Sequence, residues 1–190
     1  MKTKSIIPFM FILIFLFNSC STRGIHDKYF GATEQRLVTH SIDKLVKSIP
    51  EKDFMPLKGQ AIYMECHFIE KNETLNFARK RLEMELKEKY CCTLTDVPES
   101  AQFLVHFFFN AIGTDQDILG FKTPEVIIPS VGITSINILS LEMYHGVSEL
   151  YYYIIDKSKL AIMRGEKLKA IIRTDRLVLP IISIPLNTLD

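Results

Sequence analysis

The sequence has no excess of basic residues: 23 Lys and Arg stand against 22 Asp and Glu, and the formal net charge is +1. Lys2 and Lys4 lie in the first segment, so the chain beyond it carries a net charge of −1. A near-neutral surface has little electrostatic attraction for a polyanion, and no stretch interleaves basic residues with aromatic ones. We therefore expect no nucleic-acid partner.

Motifs for metals and phosphates are also missing. The five histidines (His26, His40, His67, His106 and His145) have neither HxH nor HExxH spacing, whereas a zinc site needs clustered ligands. The acidic stretch "GTDQDILG" lacks the glycine and the final acid of a calcium loop. There is no GxGxxG segment. The sequence predicts no metal and no cofactor.

No apolar run is long enough to cross a bilayer, which takes roughly 20 residues. The longest, residues 6–17, is interrupted only by Pro8 and follows the positive charges of Lys2 and Lys4. This arrangement fits the hydrophobic part of an export signal. We interpret residues 1–19 as a signal peptide.

The segment "FNSC" resembles a bacterial lipobox, with the small residue Ser19 before Cys20. The resemblance implies a diacylglycerol thioether and an acylated amine on Cys20, and two or more acyl chains anchor stably. Phe17 and Asn18 depart from the usual pattern, which indicates relaxed lipobox rules or weak processing. Two alternatives stay open, a secreted protein with a free Cys20 and an uncleaved anchor. Ser21, by analogy with enteric lipoproteins, favours the outer membrane over the inner one.

Beyond Cys20 we expect a polar tether over residues 20–32 and a single globular domain over residues 33–190. Its predicted class is α/β, with a mixed sheet of about five strands, two main helices on one face and a βαβ unit. The first helix is predicted to have Thr33 as its N-cap and the second to be capped by Asn72. The strands "GQAIYMECHFIE" and "CCTLT" flank the second helix, so they should be parallel neighbours.

The segment "AQFLVHFFFNAI" alternates apolar residues and is the strongest strand of the chain. Its short connection predicts that it runs antiparallel to "CCTLT". Residues 113–146 are rich in Gly and Pro and are predicted to be a long loop. "VSELYYYIID" and "KLAIMR" predict a hairpin, and Pro180 and Pro185 make a central strand improbable in the tail.

Cys66, Cys91 and Cys92 suggest two kinds of chemistry. In an oxidising compartment a disulfide from Cys66 to Cys91 or Cys92 is one interpretation, and the alternative is that all three are small buried hydrophobes. An envelope hydrolase or thiol enzyme using Cys66 or Cys91/Cys92 is the alternative function. Cys66 and His67 cannot act as a pair, because neighbours on a strand point to opposite faces. No nucleophile signature surrounds Cys66, so we expect a non-enzyme.

A partner surface is predicted from Asp115 and Asp117 in the expected loop and from Tyr151 and Tyr153 on the hairpin. Adjacent tyrosines alternate in direction, so at least one must point outward, where aromatic rings favour protein contacts. The alternative is that these tyrosines reflect ordinary β propensity.

Three segments together resemble an uncharacterised family of bacterial envelope lipoproteins: "SIDKLVKSIPEKDFMPLKGQAIYME", "AIGTDQDILGFKTPEVIIP" and "YYYIIDKSKLAI". The order of elements is also distantly similar to the curli-secretion lipoprotein and to lipoproteins that activate peptidoglycan synthases. The resemblance covers residues 34–162 and is at the level of the fold. It implies a membrane-anchored, non-catalytic envelope protein in the periplasm that binds a protein partner or itself, and it brings no catalytic residues.

Overall fold

The computed structural model describes residues 20–24, 31–123, 126–128, 132–134 and 137–187. The predicted signal peptide, residues 1–19, lies outside the described residues. Among the described residues, no helix has the length and apolarity needed to traverse a bilayer.

The chain forms two compact units. The helical unit comprises the described residues within 28–114 and 145–172, and the strand unit comprises those within 1–27, 115–144 and 173–190. The predicted domain of residues 33–190 therefore contains most of both units. The start of the predicted tether, Cys20–Gly24, is a strand of the strand unit.

The helices all belong to the helical unit, and the strands are distributed over both units. The helices are α1 (Ala32–Lys47), α2 (Glu51–Phe54) and α3 (Glu73–Tyr90). The strands are β1 (Cys20–Gly24), β2 (Ala61–His67), β3 (Thr93–Leu94), β4 (Phe103–Lys122), β5 (Val126–Ile128), β6 (Gly132–Thr134), β7 (Asn137–Asp156), β8 (Ala161–Arg164), β9 (Leu168–Val178) and β10 (Ser183–Pro185).

The predicted α/β class with helices on one face is confirmed, but the sheet is larger than about five strands. The described residues form an eight-stranded sheet in the order β10–β9–β7–β4–β2–β3, with β1 paired to β4 and β8 paired to β7. β5 and β6 form a separate antiparallel pair. The count was too low because β4 and β7 have 20 residues each, and such strands pair with different neighbours along their length.

Both predicted helices are confirmed, except for the N-cap of α1. α1 buries its apolar stripe, but its N-cap is Gly31, which makes no side-chain hydrogen bond, and not Thr33. Thr33 lies inside the first turn, where its hydroxyl cannot occupy the capping position. At α3 the prediction is correct: the Asn72 side chain accepts a hydrogen bond from Leu75 N at 3.0 Å.

The predicted βαβ unit is confirmed, since β2 and β3 flank α3 and pair in parallel. The predicted antiparallel pairing of the next strand is wrong, because β4 pairs with the other edge of β2, in parallel. β3 has only two residues, so a short connection is enough to bring the chain back to the start of β2. There Gln102 N donates to Ala61 O at 2.9 Å.

The predicted loop over residues 113–146 is also wrong, because its two ends continue β4 and β7. Gly120 and Gly146 lie where another part of the backbone packs closely, and not in turns. A Cβ at Gly120 would overlap the backbone of Leu139 and Ser140, and one at Gly146 would overlap the Leu37 backbone. The high content of glycine and proline therefore led to a predicted loop that was too long.

The end of the chain follows the sequence pattern. β7 and β8 form the predicted antiparallel hairpin, with Tyr153 opposite Arg164. Pro180 lies between β9 and β10, and Pro185 lies on β10, which ends the sheet order. An edge strand tolerates proline because its missing N–H is not needed for pairing.

Candidate functional site on the open face of the sheet

Strand alternation gives the sheet of the helical unit two different faces. One face packs Ile62, Val105, Phe107 and Tyr152 into the core against the helices. Their neighbours in sequence point the other way, toward a face on which none of the described helices packs. We call the polar and aromatic side chains there the open-face cluster: Glu65, His67, His106, Phe108, Tyr151, Tyr153 and Arg164.

The polar part of the cluster is formed by Glu65, His67 and His106. Glu65 and His67 are two apart on β2, and parallel register places Glu65 beside His106 on β4. His67 Nε2 lies 3.2 Å from His106 Nδ1. The Glu65 carboxylate oxygen Oε2 lies 3.6 Å from His67 Nε2 and 3.5 Å from His106 Nδ1. Three groups that can accept or donate protons thus meet at one point of the sheet.

The surroundings favour a neutral His106. Burial lowers the pKa of His106, the Glu65 carboxylate opposes that shift, and His67 adds to it. The His106 side chain is 22% exposed, while the Glu65 side chain is 45% exposed. The cluster therefore has one sheltered imidazole and one carboxylate in contact with solvent.

The aromatic part continues directly from His67. The Phe108 ring stacks on His67 with centroids 4.4 Å apart and on Tyr151 with centroids 5.3 Å apart. Tyr153 meets Phe108 and Tyr151 edge-on. The Arg164 guanidinium lies 5.5 Å from the Tyr151 ring centroid and 5.9 Å from that of Tyr153, within cation–π range.

A shallow apolar depression of about 420 Å³ adjoins both parts of the cluster. It is lined by His67, His106, Phe108, Tyr153, Ile155 and Ile162. Ile162 is 69% exposed and extends the apolar surface at the edge of this depression. The cluster thus offers an apolar contact area next to ionisable groups.

The structure separates the four residues of the predicted partner surface into two units. Tyr151 and Tyr153 belong to the open-face cluster, whereas Asp115 and Asp117 lie on β4 in the strand unit. Asp117 is opposite Arg23 of β1 in the strand register. Cys20 begins β1 and is opposite Gly120.

The thiols of Cys66, Cys91 and Cys92 are all free. Cys66 points to the helix side of β2, opposite His67, and burial raises the pKa of its thiol to about 12. Burial likewise raises the pKa of Cys92 to about 11, and its thiol donates to Leu57 O. Thiolate is the nucleophilic form, so both environments suppress reactivity.

We expect iodoacetamide at roughly pH 8 to modify Cys91, which is exposed, and to spare Cys66 and Cys92 in the folded protein. Peptide-level mass spectrometry before and after unfolding in urea measures this, and unfolding should make all three cysteines reactive. Fast native labelling of Cys66 would contradict its burial and support the thiol-enzyme alternative.

Sequence reasoning missed the grouping of Glu65, His67 and His106. The only local signal is the Glu-x-His spacing on β2, which puts two side chains on the same face of a strand. His106 is distant in sequence and joins them only through the parallel register of β2 and β4. The neighbouring Phe108 and Arg164 were missed for the same reason.

Comparisons with protein-family models, curated proteins and solved structures gave no match to this chain. The resemblance to envelope lipoproteins therefore remains a prediction. The geometry of the open-face cluster is therefore the basis for the proposed function.

Proposed function

We propose that this chain is a membrane-anchored, non-catalytic lipoprotein of the bacterial cell envelope that binds a protein partner through the open-face cluster. The partner would present an apolar side chain flanked by a carboxylate. The observation that carries this proposal is the group of half-buried aromatic rings under Arg164, on a sheet face that none of the described helices covers.

The composition of the cluster supports protein binding. Tyrosine and arginine are enriched at the centres of protein interfaces, because they combine a large contact area with polar groups. The stacked rings of Phe108 and Tyr151 are held in place by each other. A preorganised surface loses little side-chain entropy when a partner binds.

The positive charge of Arg164 favours a partner with a negative charge at this contact. Within the described part of the chain, no carboxylate forms an ion pair with Arg164, whose contacts are the Tyr151 and Tyr153 rings. A planar guanidinium held over aromatic rings can still pair with a carboxylate through its free edge. Together with the exposed Ile162, this favours an acidic and apolar segment.

The strand unit supports the membrane anchor independently. Cys20 is paired to Gly120, and the neighbouring Leu119 and Phe121 side chains are exposed. Leu139, whose backbone contacts the Gly120 position, is exposed as well. Apolar side chains beside a lipidated residue would add to the affinity for a membrane interface. The outer membrane remains the proposed location.

The proposal predicts position-specific crosslinking in cells. We would replace Tyr151 by a photo-crosslinking phenylalanine analogue in the full-length chain, with the exposed Lys87 on α3 as the matched control site. We expect one discrete crosslinked protein from position 151, none from position 87, and loss of the product on adding Arg164→Glu. Cys20→Ala should release the protein from the membrane fraction and reduce the product.

Three results would contradict the proposal. Equal crosslinking from positions 151 and 87 would indicate non-specific contact. A product of twice the chain's mass would indicate self-association in place of a partner. An unchanged product with Arg164→Glu would exclude a partner carboxylate at that position.

A further inference from the structure

Glu65, His67 and His106 offer two imidazole nitrogens and one carboxylate oxygen whose positions all lie within 4.8 Å of one another. The three measured separations are 3.2, 3.5 and 3.6 Å. A contact network of this kind can be held together by a shared proton or by a cation. The distances between the three ligand atoms indicate which class of cation would fit between them.

The separations match the ligand spacing of a tetrahedral ion. With metal–ligand bonds of about 2.0–2.2 Å, two ligands of a tetrahedral zinc ion are about 3.4 Å apart. An ion about 2 Å from each of the three atoms would therefore need little movement of the side chains. We infer that Glu65, His67 and His106 form a binding site for a divalent transition-metal ion, zinc by preference.

The chemistry of the ligands selects the ion class. Calcium and magnesium prefer all-oxygen surroundings, whereas imidazole suits zinc, copper, nickel and iron. Two histidines and one glutamate constitute a recognised zinc ligand set that leaves the fourth position open. Cys66 adds no thiolate, because its side chain points to the opposite side of β2.

The scaffold holds the three ligands rigidly. All three side chains extend from two hydrogen-bonded strands in fixed register, not from loops. Phe108 stacks on His67 and restricts the orientation of that ring. An ion would replace the contact between His67 Nε2 and His106 Nδ1, and the proton in that contact would pass to solvent.

The open coordination position faces the solvent side of the sheet. Glu65 is the most exposed of the three ligands, and the apolar depression borders both histidines. A water molecule or a carboxylate from outside the chain can complete the coordination. The inference is independent of the proposed partner binding, since it concerns an ion and the isolated protein.

The test is a titration of the metal-stripped, full-length protein in detergent with Zn²⁺ by calorimetry and with Co²⁺ by visible absorption. We expect one equivalent of Zn²⁺ at micromolar or tighter affinity. Co²⁺ should give the intense visible bands of a four-coordinate ion without the near-ultraviolet thiolate band. A thiolate band would assign the ion to a cysteine and overturn the inference.

Three variants assign the ligands. His106→Gln and Glu65→Gln should each weaken Zn²⁺ binding by at least about tenfold, since each removes a direct ligand. His40→Gln, on α1 and outside the cluster, is the matched control and should bind as the unaltered protein does. Melting temperatures without metal establish that the variants are folded.

The outcome is decisive even if a variant fails to fold. Absence of stoichiometric Zn²⁺ binding by the unaltered protein overturns the inference by itself. So does binding that survives in a folded His106→Gln protein. A rise in melting temperature with Zn²⁺ that is lost in Glu65→Gln but kept in His40→Gln supports it by an independent readout.

Discussion

Replacing Tyr152 by alanine is expected to reduce the free energy of unfolding by about 3–5 kcal/mol, the range for removing a buried aromatic side chain. The Tyr152 side chain is fully buried. Its ring packs at 5.0 Å from Phe54 and 6.0 Å from Phe107, measured between centroids. Its hydroxyl donates to Asp53 Oδ2 at 2.6 Å. Alanine would leave a cavity and an acceptor without its donor.

The adjacent Tyr151 and Tyr153 are natural controls for this experiment. Both belong to the open-face cluster and are only partly buried, so alanine at either position should cost about 1 kcal/mol or less from lost ring contacts. Tyr152→Phe removes only the hydrogen bond to Asp53 and should cost about 1–2 kcal/mol.

Urea unfolding followed by circular dichroism measures all four variants, since the chain has no tryptophan to report by fluorescence. Equal losses for Tyr151→Ala and Tyr152→Ala would mean that the alternation of faces along β7 is wrong. The location of the open-face cluster would then be wrong as well.

Gly146→Ala should be the most damaging single-methyl addition, with an expected loss of about 3 kcal/mol or more. A Cβ at Gly146 would overlap the carbonyl group of Leu37 on α1. Backbone cannot move aside by changing a rotamer, so α1 and β7 would have to separate. That separation would loosen the core that includes Ile42 and Leu150.

Gly31→Ala is the matched control for this change. A Cβ at Gly31 would meet nothing within 4 Å, so the only expected effect is a cost of under about 1 kcal/mol for the poorer cap of α1. Similar midpoints of urea unfolding for Gly146→Ala and Gly31→Ala would contradict the close approach of α1 to β7.

Predictions from local sequence patterns were correct where the structure of a helix or strand depends only on its own residues. Asn72 was identified as the cap of α3 because capping depends on a side chain and an N–H three residues away. The alternation from Phe103 to Phe109 was identified because period two by itself places side chains on opposite faces. The βαβ pairing followed from the order of elements.

Glycine was the main source of error. Gly120 and Gly146 contributed to the prediction of a loop over residues 113–146, although both lie inside strands where another backbone approaches closely. The sequence does not distinguish these two uses of glycine, because both depend on the missing Cβ. The second half of β4 and the first half of β7 were therefore predicted to be a loop.

The sequence by itself determined the α/β class, the cap of α3, the apolar stripes of the helices, the β7–β8 hairpin and the prediction of a lipid anchor at Cys20, since each depends on residues close together in the chain. Only the tertiary structure decided that β4 lies parallel to β2, and hence that His106 meets Glu65 and His67. Strand pairing brings together residues that are far apart in sequence, and its register is set by packing of the whole sheet. The open-face cluster is a product of that register.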